Sequence, residues 1–145
     1  MILYINDIYN LIPHRKPFLF VEECEIIKNG THGIGSKMFH KDEYFFVGHF
    51  PNEPIVPGVV LIEAMAQTAG IVVSKKYEAY KDKSVLFLSI SNAKFRKPVY
   101  PNDKIFFEVK FVSEVKSFYK FSGIAFKNSN KVCEAEFSAM ITNGK

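Results

Sequence analysis

The stretch GHFPNEPIVPGVVLIEAMAQ, Gly48 to Gln67, decides how the chain is read. Its first half carries prolines at 51, 54 and 57. That spacing excludes both a helix and the interior of a sheet, because each ring fixes φ and removes an N–H. The segment from Asp42 to Pro57 is therefore expected to be an irregular, conformationally restricted loop. The second half begins an apolar run from Val59 to Ser74, relieved chiefly by Glu63, Gln67 and Thr68. A helix that is hydrophobic on almost every side has to be covered on every side. The run thus predicts one long buried helix, and the rest of the chain has to supply its cover.

That cover reads as sheet. Glu134, Glu136 and Ser138 alternate with Cys133, Ala135, Phe137, Ala139 and Ile141, the period-2 pattern of a strand with one face on a core. Further strands are expected at Phe18 to Ile27, His32 to Phe39, Val85 to Ser91, Lys104 to Val115, Phe118 to Lys127 and Lys131 to Thr142. Asn29-Gly30 and Asn128-Ser129-Asn130 read as hairpin turns, while Pro98, Pro101 and Asn102-Asp103 break the chain between strands. Ile5, Ile8, Tyr9 and Ile12 have helical spacing and predict a short N-terminal helix stopped by Pro13. The fold class that follows is α+β, one long central helix wrapped by a curved antiparallel sheet. With 145 residues and no repeat, low-complexity tract or linker, residues 1–145 are read as a single domain.

Composition narrows the setting. Fifteen Phe and seven Tyr beside no Trp favour strands and a large core or an apolar ligand channel. The net charge of +4 comes from scattered lysines, which keeps the chain soluble and admits an acidic partner without requiring one. No nucleic-acid or membrane partner is expected. The N-terminus has no leading positive charge, and Asn6, Asp7 and Asn10 interrupt its apolar residues, so neither a signal peptide nor a membrane span is expected there. Cys24 and Cys133 lie in strand-like alternation without metal-ligand spacing. They read as buried free thiols of a reducing compartment, and the expected location is cytoplasmic.

Chemistry concentrates where the loop meets the helix. Gly58 and Val59 begin the helix after Pro57, so their N–H groups lack intrahelical partners and suit a negative oxygen. Pro-Gly also serves as plain helix-start punctuation. Glu63 and Gln67 are four residues apart on one helical face. In apolar surroundings the Glu63 carboxyl should be driven up and act as an acid, unless it is a structural carboxylate paired with a buried donor. His49 sits in the rigid loop, either as a base or as a hydrogen-bonded core residue. His14, His32 and His40 carry less information. No metal-ligand pattern, G-x-S-x-G elbow or phosphate loop is present. A base, a protonatable carboxyl and free N–H groups in an apolar environment suit proton abstraction beside a carbonyl, the equipment of a β-elimination.

Three stretches, LIPHRKPFLFVE from Leu11, GHFPNEPIVPGVVLIEAMAQTAG from Gly48 and KFRKPVYPND from Lys94, resemble the (3R)-3-hydroxyacyl-[acyl-carrier-protein] dehydratases of the FabZ type, enzymes of type II fatty-acid synthesis. The resemblance implies a hotdog fold, dimers paired through their sheets and commonly a trimer of dimers. It implies His49 and Glu63 as the catalytic pair, facing each other across the dimer interface, with the Gly58 and Val59 amides at the thioester carbonyl and no cofactor or metal. It further implies an acyl tunnel along the helix, lined by residues including Ile62, Met65 and the VLFLSIS strand, with Tyr100 near its mouth. Tyr100 equally suits plain packing on Pro98 and Pro101. Lys94, Arg96 and Lys97 are where an acidic acyl carrier protein would dock, although edge lysines also discourage aggregation. Glutamate at 63, where the isomerising sister type looks to carry aspartate, implies dehydration without isomerisation. Within the same fold, a coenzyme A hydratase, a thioesterase and a non-catalytic acyl-binding module remain open alternatives.

Overall fold

In the computed structural model, which describes residues 1–77, 84–116 and 118–142, the chain runs β1 (Ile2–Leu3), α1 (Ile5–Tyr9), β2 (Glu23–Lys28), β3 (His32–Met38), a 3₁₀ turn at Tyr44–Val47, α2 (Gly58–Tyr77), β4 (Ser84–Phe95), β5 (Lys104–Val115), β6 (Phe118–Lys127) and β7 (Asn130–Thr142). The strands form one seven-stranded sheet in the order β1-β2-β3-β5-β6-β7-β4. Every neighbouring pair is antiparallel. The sheet curls around α2, which touches all strands from β2 to β7. This is the α+β arrangement expected of a hotdog fold.

Alternation explains which faces meet the helix. Ile105, Phe107 and Val109 of β5, Tyr119, Phe121 and Ala125 of β6, and Cys133, Ala135 and Phe137 of β7 are buried. The alternate residues Lys120, Ser122 and Ile124 of β6 and Glu134 and Glu136 of β7 remain partly exposed. Each large side chain removed from water in this way contributes about 1.5–3 kcal/mol. The helix comes close to the sheet backbone because glycines face it: a Cβ on Gly35 would collide with Thr68, and one on Gly123 with Met65. By length and composition α2 is apolar enough to cross a membrane, but 78% of its most apolar window is buried inside the protein. It is the core helix.

The differences from the sequence reading have local causes. The expected strand from Phe18 begins only at Glu23, because the backbone of Phe18 and Phe20 is bonded by the Gln67 side chain. α1 stops at Tyr9, with Asn10 as its C-cap. α2 runs on to Tyr77, and Lys75 and Lys76 in its last turn complement the helix dipole. β4 extends to Phe95 through a register shift between Ser91 and Lys94, with Asn92 at φ 51° absorbing the irregularity. Cys24 and Cys133 are both free and buried, and burial pushes both thiols up to about 12.

One edge of the sheet stands out. β4 is the terminal strand beyond β7, and Leu86, Phe87, Leu88, Ile90 and Phe95 along it are all exposed. A long apolar edge strand with unpaired backbone groups is a template for pairing with another chain.

Candidate active site

The proline-rich loop holds His49 from both ends. Its N–H bonds the Phe45 carbonyl at 3.0 Å and its carbonyl accepts from the Ile55 N–H at 2.9 Å. The ring Nδ1 lies 3.0 Å from the Ile55 carbonyl. A carbonyl only accepts, so Nδ1 carries the proton and Nε2 keeps a lone pair. Phe50 stacks on the imidazole with centroids 4.1 Å apart. The ring is thereby fixed in orientation and tautomer with its basic nitrogen available.

His49 shares an open cleft of about 430 Å³ with Pro57, Gly58, Val59, Phe95, Arg96 and Lys97, among others. The first turn of α2 therefore presents its N–H groups beside the histidine, where the dipole favours a developing negative oxygen. The space a Cβ would take at Gly58 is filled by the Phe95 ring. Glycine is thus required by this packing.

Glu63 lies on α2, one turn before Gln67. The Gln67 Nε2 donates to Glu63 Oε2 at 2.9 Å and to the Phe18 carbonyl at 2.9 Å, while its Oε1 accepts from the Phe20 N–H at 2.8 Å. Burial pushes the Glu63 carboxyl up, and the Gln67 hydrogen bond draws it partly back. From the other side His14 brings Nε2 to 3.7 Å of Glu63 Oε2. Sequence reading set His14 aside, and the available signal was its place in Pro13-His14-Arg15, inside the first family-like stretch.

A raised carboxyl has a consequence for stability. As pH rises from the ordinary glutamate value toward the raised folded value, the unfolded chain gives up its proton first, so the folded state loses stability over that interval. Glu63→Gln removes the titration. Its unfolding midpoint should match wild type at pH 4 and exceed it at pH 7, read by thermal melts at both values. A midpoint at pH 7 below wild type would contradict the strained carboxyl.

The remaining predicted residues are distributed as follows. Ile62 is buried and lies one turn before Ala66 on the helix face that, with Ala69, Gly70 and Val73, borders a narrow apolar space closed by Val85, Phe121 and Phe137. Met65 is fully buried against β6 at Gly123. Only Val85 of the VLFLSIS strand borders that space. Tyr100 is exposed and lines a separate hollow with Lys97, Pro98 and Lys127. Arg96 is paired with Glu134 at 2.9 Å, whereas Lys94 is exposed on β4. Glu63 is not among the residues lining the His49 cleft.

Family relationships follow from the whole length. Residues 12–136 match the FabA-like domain. The chain belongs to the FabA-like family. Its relatives include 3-hydroxyacyl-[acyl-carrier-protein] dehydratase FabZ of Caulobacter sp. (strain K31), 43% identical over 138 residues, which span 94% of this chain and 85% of that protein. FabZ of Rhodopseudomonas palustris (strain BisB18) is 43% identical over 140 residues, 96% of this chain and 93% of that protein. Among solved structures, the dehydratase heterocomplex ApeI:P from Xenorhabdus doucetiae superposes with a TM-score of 0.75 at 15% identity, covering 92% of this chain and 89% of that one. Identity that low bears on the fold alone, and it places the helix-in-sheet architecture among the hotdog folds.

Proposed function

We propose that this chain dehydrates (3R)-3-hydroxyacyl-[acyl-carrier-protein] to the trans-2-enoyl thioester in type II fatty-acid synthesis, without moving the double bond. The observation that carries the reading is the locked imidazole of His49, its Nδ1 tied to the Ile55 carbonyl and its Nε2 left basic, beside the first turn of α2. Nε2 takes the α-proton of the substrate. Electrons from that C–H bond form the new double bond as the β-carbon–oxygen bond breaks, and Glu63 protonates the departing hydroxyl, which leaves as water. The Gly58 and Val59 amides, with the helix dipole behind them, stabilise negative charge on the thioester oxygen. No step calls for a metal or a cofactor.

The apolar edge of β4 supports a dimer formed by strand addition. In such a dimer His49 of one copy faces Glu63 of the other, and three dimers complete the assembly. The acyl chain follows the stripe from Ile62 and Met65, with Tyr100 as a candidate gate. Arg96 and Lys97 line the lip of the His49 cleft, so with Lys94 they form the surface on which an acidic carrier protein docks and delivers its thioester. Buried free thiols fit a cytoplasmic setting.

The test is turnover of matched 3-hydroxyacyl thioesters on acyl carrier protein and on coenzyme A, followed by enoyl absorbance and product chromatography. Faster turnover of the carrier-protein thioester, yielding only the trans-2 product, is expected. Preference for coenzyme A would make the chain a hydratase, a cis-3 product would remove the claim about isomerisation, and the absence of turnover would overturn the reading.

A further inference from the structure

His14 occupies the segment between α1 and β2, and its side chain is 14% exposed. Its Nδ1 is buried with no hydrogen-bond partner, which calls for an explanation. The two neutral tautomers differ in what they leave unsatisfied. A proton on Nδ1 would strand a donor, whereas a proton on Nε2 leaves only a bare lone pair, the less costly omission. The favoured tautomer therefore has an Nε2–H, and Nε2 is the atom 3.7 Å from Glu63 Oε2.

The surroundings keep this donor neutral. Burial, and then the charge of Arg15, hold the imidazole below its ordinary value. Arg15 is committed elsewhere, its guanidinium donating to the carbonyls of Tyr9, Ile12 and His14. Glu63 is thus faced by His14 from the N-terminal segment and by Gln67 from its own helix, with Arg15 behind His14 the nearby charge. Both donors address Oε2, which leaves Oε1 to carry the proton.

We propose that His14 is a positioning residue for Glu63: its Nε2–H closes on Oε2 as Oε1 surrenders its proton to the leaving hydroxyl, so that two neutral donors hold the carboxylate as it forms. This rests on the assignment of Glu63 as the acid. A separation of 3.7 Å suits a waiting donor opposite a neutral acid, and the charge created by proton transfer draws the pair together.

Four proteins test this: wild type, His14→Phe, His14→Gln and His14→Asn. The amide nitrogen of glutamine reaches the position of Nε2, and that of asparagine reaches only Nδ1. His14→Phe should lower kcat about 10- to 100-fold with little change in KM. The alkaline limb of its pH profile, where Glu63 loses its proton, should move upward by about one unit because the carboxylate has lost a donor. His14→Gln should restore both and His14→Asn neither. Wild-type kcat and an unmoved limb in His14→Phe would overturn the proposal. So would equal behaviour of glutamine and asparagine, which also decides the matter if the phenylalanine variant fails to fold. Carbon-13 NMR titration of Glu63 reads the same donor without turnover. A Glu63 titration that moves up in His14→Asn but not in His14→Gln supports the role even if the dehydratase reading fails, and one unmoved in both refutes it even if that reading stands.

Discussion

Alanine at His49 and alanine at Glu63 should each lower kcat for the carrier-protein thioester by about 10²–10⁴-fold, the usual worth of a positioned acid or base. KM should change little, because neither side chain is needed to hold the pantetheine or the acyl chain. The reason for so large an effect lies in the geometry. The His49 ring is held by Ile55 and Phe50, and Glu63 is a carboxyl that burial pushes above its ordinary value. Mixing the two inactive variants carries a sharper prediction. If each site takes His49 from one copy and Glu63 from the other, random exchange makes half of the dimers mixed, and each mixed dimer has one intact site of two. About a quarter of wild-type activity should return. Activity no higher than the sum of the two variants, after native mass spectrometry has shown exchange, would place each site within one chain.

Gln67→Leu should cost about 2–5 kcal/mol of folding free energy, because it strands polar groups that the amide satisfies. Gln67 is fully buried, accepts from the Phe20 N–H and donates to both the Phe18 carbonyl and Glu63. Leucine fills the volume and satisfies none of the three. For a chain of this size that corresponds to a melting temperature lower by roughly 6–15 °C. Gln67→Glu retains the acceptor for Phe20, loses the donors and places a second carboxyl beside Glu63, so it should also destabilise and more steeply above neutral pH. A leucine variant within 0.5 kcal/mol of wild type, on the order of ordinary surface substitutions, would show that the Phe18–Phe20 backbone finds other partners.

The same glutamine marks the limit of what periodicity reveals. From Phe18 to Ile27 the residues have the composition of a strand, and the second half forms one. The first half does not, because its backbone partner is a side chain from a helix 47 positions away, and no local pattern encodes such a bond. His14 escaped for the same reason: its Nε2 meets Glu63 across 49 positions, and a histidine beside proline and arginine has no distinctive local signature. Gly58 was legible as a helix start, but only packing reveals that its missing Cβ accommodates Phe95.

By itself the sequence determined the central helix, from an apolar run with no polar face, and the inward rows of the later strands, from their alternation. It also singled out, as the candidate place for chemistry, the junction where proline, glycine, histidine and glutamate converge. These are local properties, set by dihedral limits and by the 3.6- and 2-residue periods. Only the tertiary structure decided that Gln67 bridges helix and loop, that His14 stands against Glu63, that β4 is left as an apolar edge, and that the His49 cleft is not lined by Glu63. Those outcomes depend on which distant segments the closing sheet brings against the helix, and on a burial that is complete for some faces and left open for others.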